Sequence, residues 1–212
     1  MNILRPQKVL FDKLKVIENF ALELVDDAEF ENVSVENCFI ENPRVNEVSI
    51  EKAVLKNVSI VGGNLEKSSF TDVEFVNCNF SNTSFENSSF VRCEFNNCKL
   101  TGCNFVDSRL YNVCFAETNM NYANLSLASI ENILFNNTGL RSANFQENKL
   151  KNIVFKEADL TSANFFKTSL KGIDLSDSVI SGLNISIEDI RGAEIGEYQA
   201  GDLLYLIGVK IK

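Results

Sequence analysis

Phe80, Phe85, Phe90, Phe95 and Leu100 put a large apolar side chain at every fifth position of the stretch FSNTSFENSSFVRCEFNNCKL. An amphipathic helix repeats near 3.6 and a strand repeats at 2, so neither produces this spacing. The pattern runs without insertion or deletion from Phe30 to Ile195. Its 34 in-frame centres are 13 Phe, 10 Leu, 8 Ile, 2 Val and 1 Met. Not one is polar, which marks an internal repeat rather than a chance run.

The flanking positions keep the same frame. Two residues before a centre the side chain is small, as at Cys78, Thr83, Ser88, Cys93, Cys98, Ala123 and Ala143. Two residues after it, 20 of 34 positions are Asn, Asp or Gly, the residues that best tolerate positive φ and favour turns. Each unit therefore reads as a short extended piece ending in a corner, with the centre and the small residue pointing inward. Five residues cannot bury an apolar face alone, so the units must coil and the coils must stack, with backbone hydrogen bonds between coils.

Three sides would give 15 residues per coil and four would give 20. A spacing of 20 aligns Phe75, Phe95, Phe115, Phe135 and Phe155 in one column and Gly62, Gly102 and Gly182 in another. A spacing of 15 gives no Phe column that long, which favours four sides. The units then make about 8.5 coils and a rod of roughly 41 Å at about 4.8 Å per coil.

The units AETNM, NYANL, RSANF, KEADL and TSANF resemble the A(D/N)LXX repeat of the pentapeptide repeat family. The resemblance covers about residues 26 to 195. It implies an all-β fold, a right-handed quadrilateral parallel β-helix, and it says little about function because unrelated members share it. The expected organisation is an N-terminal cap at 1–25, the β-helix at 26–195, and a C-terminal helix with a short strand at 196–212.

No apolar run reaches the length of a membrane span, and the N-terminus lacks an apolar core followed by a small-residue cleavage site. A cytoplasmic location and no membrane association are expected. Of the six cysteines, Cys38, Cys78, Cys93, Cys98 and Cys103 occupy the small inward position and Cys114 follows one such position, so core packing explains them. There is no CxxC spacing and no His, so a metal site, a Ser-His-Asp or Cys-His nucleophile and a bound cofactor are not expected. The phosphate-binding GxxxxGK[ST] spacing is also absent. A non-enzymatic protein follows.

The net charge of −9 argues against direct nucleic-acid binding. Residues 26–100 carry 13 acids and 6 bases, and residues 101–180 carry 8 and 7. With four sides, Glu74, Glu94, Glu117, Asp174 and Asp177 share the side centred on Phe75 and Phe95. The neighbouring side, centred on Phe30 and Ile50, gains Arg92, Arg109, Lys149, Lys151 and Lys171 in later coils. An acidic rod of duplex-like width suggests a DNA mimic. Duplex DNA would carry about 24 charges over about 41 Å, far more than this chain offers, so mimicry would rest on placed carboxylates.

Both rod ends need caps. Residues 8–25 place Leu10, Leu14, Ile17, Ala21 and Leu24 at helical spacing, while Phe20 and Val25 are in frame for a strand, so helix and strand both stand. After Ile195 the frame stops. Tyr198, Leu203, Leu204, Leu206 and Ile207 form an apolar set on a helical segment with Gly208 as its stop, and VKIK reads as a short strand. That set exceeds what one coil end needs, which points to a homodimer interface.

The segment IRGAEIGEYQAGDLLYLIGVKI resembles the C-terminal module of the Qnr-type, quinolone-resistance branch of the family. The resemblance implies end-to-end homodimers that bind DNA gyrase or topoisomerase IV in the manner of a DNA segment. The acids nearest the implied dimer centre are Asp174, Asp177, Glu188, Asp189, Glu194 and Glu197. Several Qnr-type members carry loops that help protect gyrase from quinolones. This frame has no insertion and is similar to the loopless mycobacterial type. The alternative expectation is a repeat scaffold that presents a flat side to another protein.

Overall fold

Backbone pairing joins each residue of the repeat to the one 20 positions away. In the computed structural model, which describes residues 14–209, Phe75, Phe95, Phe115, Phe135 and Phe155 lie in register on successive parallel strands. The four-sided reading therefore holds. Six eight-residue strands, from Ser49–Lys56 to Lys149–Lys156, each cover two centres and the corner between them. Glu29–Glu31 and Val33–Glu36 begin the same sheet. The other two sides start as short strand pairs, Phe39–Glu41 with Ser59–Val61 and Arg44–Asn46 with Asn64–Glu66. They continue as single parallel bridges such as Asn79↔Lys99 and Asn164↔Asn184. The result is an all-β parallel solenoid of about seven turns with a short C-terminal helix. The sequence frame counted more coils because the last units, beyond Phe165, keep the period but stack through turns and single bridges.

The corner position has left-handed φ at every unit from Asp27 to Gly172, whatever residue occupies it. Asn, Asp and Gly accept this at little cost, but Lys52, Arg92, Tyr122, Leu127 and Lys167 adopt it too, with φ between 51° and 62°. Stacking thus overrides local preference. Gly62 and Gly102 are more constrained, because a Cβ there would lie 2.5 Å from the Asn42 or Asn82 side-chain oxygen of the coil before.

Each coil has two kinds of corner, in adjacent pairs. On the sides centred on Phe80 and Phe85, and on the sides below them, the residue after the corner donates its N–H to the centre carbonyl, as in Thr83 to Phe80 (3.0 Å) and Ala123 to Met120 (3.0 Å). These are turns with the left-handed residue third. On the two sides of the eight-residue strands the chain bends without closing such a turn. At both kinds of corner the small inward residue also hydrogen-bonds to the coil before, as Thr83 Oγ1 does to the Ile60 carbonyl (2.8 Å). Thr118 Oγ1 donates to the Phe95 carbonyl (3.1 Å), and Cys78, Cys93 and Cys98 donate Sγ–H to the Leu55, Phe70 and Phe75 carbonyls. The cysteines therefore bridge coils by hydrogen bonds besides filling space, and all six are free thiols. Burial pushes the Cys93 thiol up to about 12.

Thr168 makes this role testable. It is fully buried, donates to the Phe145 carbonyl (2.6 Å) and accepts the Asn148 N–H (2.9 Å). Thr168→Val keeps the volume and strands both groups, so it is expected to cost about 1–3 kcal/mol. Thr168→Ser keeps the hydroxyl, and chemical denaturation should show it losing clearly less than the valine variant.

The core is the stack of centres. The Phe75–Phe155 column has ring centroids 4.4, 5.0, 5.3 and 5.1 Å apart, with planes within 15° of parallel. Phe70 on Phe90 and Phe145 on Phe165 add shorter stacks. At the N-terminal end both open readings are partly realised. Lys15–Val16 pairs with the strand Val33–Glu36, and Phe20–Glu23 makes a single helical turn. Phe20 then packs on Phe30 with centroids 5.0 Å apart, and Ile17 and Leu24 close the first coil. Leu10 lies outside the described residues, as do the last three residues of VKIK.

Candidate partner-binding surfaces

The frame's last turns carry a cap built around Gln199. Its Nε2 donates to the Leu175 (2.8 Å) and Ser178 carbonyls, and its Oε1 accepts the Gly196 N–H (2.6 Å). One buried amide thereby satisfies three backbone groups at the end of the rod. The segment beyond is not one helix but three short pieces: a 3₁₀ turn Glu197–Gln199, an α-turn Ala200–Leu203 and a 3₁₀ turn Leu204–Ile207. Gly208 ends it with φ 75°.

These pieces divide the expected apolar set. Leu203 and Leu206 turn inward against the core and Leu204 is half-buried. Tyr198 is 97% exposed and Ile207 66%. Tyr205 and Val209, which helical spacing did not single out, are also exposed, although the Tyr205 hydroxyl donates to the Leu183 carbonyl. Burial raises the Tyr205 phenol.

The acids form two groups. Glu74 and Glu94 are in-register neighbours on adjacent strands, Glu94 only 9% exposed, and Glu117 projects from a corner one coil further. The same outward column then turns apolar at Cys114, Leu134 and Val154 before reaching Asp174 and Glu194, which pair as neighbours. In that column about four coils, roughly 19 Å, separate Glu94 from Asp174. At the C-terminal end Asp174, Asp177, Glu188 and Glu194 are exposed. Asp174 accepts the Ser176 N–H (2.9 Å), and its hydrogen bonds with Ser176 hold its carboxyl below the usual range. Asp189 is committed to structure: its carboxylate accepts the Ser186 hydroxyl (2.7 Å) and the Lys167 N–H (3.1 Å), and its own N–H is capped by Ser186 Oγ (3.1 Å). None of these five late acids ion-pairs with a described residue.

Charge counting along the sequence missed how much of the rod's acid is neutralised between coils. Arg92 holds Asp72 at 2.6–2.7 Å, Lys151 holds Glu131 at 2.6 Å, Arg141 holds Asp159 at 3.0 Å, and Lys167 holds Glu147 at 3.2 Å. Each partner lies 18 to 20 residues away, the signature of the stacking period.

Glu74 behaves differently. Burial, then the facing Glu94, pushes its carboxyl above the usual range. A raised folded-state value means the favourable contribution is present at low pH and is lost as pH rises through that value. Glu74→Gln is therefore expected to stabilise the protein at pH 7–8, and the gain should vanish near pH 4. Denaturant midpoints across pH check this.

No metal-holding group of side chains occurs among the described residues, and none of their helices is long and apolar enough to cross a membrane. No curated protein matches the sequence. Among solved structures, the chain is similar to HetL, a pentapeptide repeat protein involved in heterocyst differentiation regulation from the cyanobacterium Nostoc sp. strain PCC 7120. That match has 14% identity and TM-score 0.50, and covers 81% of this chain and 84% of HetL. It is also similar to QnrB1, a plasmid-mediated fluoroquinolone resistance protein, at 18% identity, TM-score 0.43, and 84% and 100% coverage. At such identities the likeness is one of fold. The family descriptions "Pentapeptide repeats (8 copies)" and "Pentapeptide repeat region" match residues 50–87 and 88–165, the stretch whose corners and columns are described above. The chain belongs to the pentapeptide repeat family.

Proposed function

We propose that this protein is a non-enzymatic rod that pairs end to end through its C-terminal cap and binds a type II topoisomerase, DNA gyrase or topoisomerase IV, as a DNA mimic. The observation that carries this reading is the C-terminal end itself. Exposed Tyr198 and Ile207 lie on the cap segment, next in the chain to the acids Asp174, Asp177, Glu188 and Glu194, which no described base neutralises. Pairing about a two-fold axis at that end buries the apolar groups and brings two sets of carboxylates together across the centre. A DNA-binding surface, built to accept phosphates, is the complementary partner.

A second reading is a scaffold for an unrelated protein. The coil-to-coil ion pairs favour it, since they leave the middle of the rod closer to neutral than a duplex. Two measurements separate the readings. Tyr198→Ala/Ile207→Asp should give a folded monomer by light scattering where the parent is a dimer. Inhibition of gyrase supercoiling should weaken as salt rises, because exposed charges are screened. Asp174→Asn/Asp177→Asn/Glu188→Gln/Glu194→Gln should abolish it while the melt stays cooperative. A parent that leaves gyrase untouched would leave the scaffold reading alone.

A further inference from the structure

The side centred on Phe30, Ile50, Phe70, Phe90, Leu110, Ile130 and Leu150 presents two outward rows, and strand pairing fixes their order. One row reads Glu29, Ser49, Ser69, Ser89, Arg109, Ser129, Lys149. The other reads Glu31, Glu51, Thr71, Val91, Tyr111, Glu131, Lys151. The face is acidic at its N-terminal end, basic at its C-terminal end, and small or neutral at the middle rung of Ser89 and Val91. Glu29, Glu31, Lys149 and Lys151 are exposed.

From this ordering we infer that the face is an interface for a second copy of the chain, lying side by side and antiparallel, with its two-fold axis at the rung of Ser89 and Val91. An axis across the rods at that rung sets each row against itself reversed. Glu29 then meets Lys149, Ser49 meets Ser129, Ser69 meets Arg109, and Ser89 meets its own copy. In the second row Glu31 meets Lys151, Thr71 meets Tyr111, and Val91 meets Val91. The single like-charge meeting is Glu51 with Glu131, and each already holds a lysine of its own chain, Lys52 at 3.0 Å and Lys151 at 2.6 Å. A parallel arrangement would instead set Glu29 and Glu31 against the same pair, so charge selects the antiparallel one. The serine-rich row lets the two sheets approach closely.

Six spacings of about 4.8 Å and a side about 10 Å wide give roughly 300 Å² per partner. A stable interface needs about 800 Å² per partner, so the association is weak, reversible and salt-sensitive. It uses the flank of the rod and is independent of pairing at the C-terminal cap.

Single cysteines on the full chain test it. Under mild oxidation at low salt, Ser89→Cys should cross-link to itself, whereas Ser49→Cys should cross-link only when mixed with Ser129→Cys. End-to-end pairing cannot bring mid-rod Ser89 positions together, so the two interfaces are read separately. In the Ser89→Cys background, Glu29→Lys/Glu31→Lys or Lys149→Glu/Lys151→Glu should each reduce cross-linking about tenfold or more, and mixing the two variants should restore it. Raising salt to about 0.5 M should also suppress it. Failure of Ser89→Cys to cross-link at low salt, or equally efficient self-cross-linking of Ser49→Cys, overturns the proposal.

Discussion

Phe95→Ala is expected to lower stability by about 3–5 kcal/mol, the range for emptying a well-packed aromatic site. Phe95 is 1% exposed and lies between Phe75 and Phe115, with centroids 4.4 and 5.0 Å away. The solenoid cannot collapse around the hole easily, because backbone pairing on both sides holds the coil spacing. Phe39 supplies the comparison. It is the same residue type one position off the frame, it is 66% exposed, and Phe39→Ala should change stability by no more than about 0.5 kcal/mol. Denaturant melts of the two variants decide the matter. Equal losses would contradict the register. A two-step melt of Phe95→Ala would show the rod dividing at the damaged coil, as expected where units contact only their neighbours.

Arg92→Ala should be nearly as costly, about 3–5 kcal/mol, because it leaves the Asp72 carboxylate buried without its guanidinium partner. Asp72 is 1% exposed, and Arg92 contacts it through Nε (2.7 Å) and a terminal nitrogen (2.6 Å). The same corner column offers its own remedy in the next three coils. Asn112, Asn132 and Asn152 occupy the equivalent positions, and Asn132 and Asn152 each donate a side-chain amide to the Asn before, at 3.1 and 2.9 Å. Asp72→Asn/Arg92→Asn would extend that ladder with no charge, and it would replace an arginine at φ 52° by a residue better suited to a left-handed corner. The double variant should therefore recover most of the loss. A double variant as unstable as Arg92→Ala would show that the ion pair does more than satisfy the corner.

The core, the corners and the four sides were legible in the sequence because they share one period. Every centre must be apolar, and a spacing of 20 aligned the Phe75–Phe155 column before any coordinate was known. What the period does not encode is how each corner closes. Thr83 follows a hydrogen-bonded turn and Thr118 follows an open bend, yet both look like small inward residues. The candidate surfaces were legible only in part. Helical spacing grouped Leu203 and Leu206 with Tyr198 and Ile207, but the segment breaks into three turns and sends the first pair inward. Glu74 and Glu94 stand in register, as do Asp174 and Glu194, but ion pairs formed across coils depend on rotamers and could not be counted from composition.

The register of 20 also means that a length change in this rod acts as a rotation. Removing five residues inside the repeat keeps every centre apolar and every corner in phase, so the core survives. Everything beyond the cut then turns by one side, a quarter of a revolution, relative to everything before it. Removing 20 restores the original alignment and only shortens the rod by one coil. A single lost residue throws the following centres outward. Such a chain can re-aim its C-terminal end in quarter turns, keeping its centres apolar, simply by gaining or losing whole units.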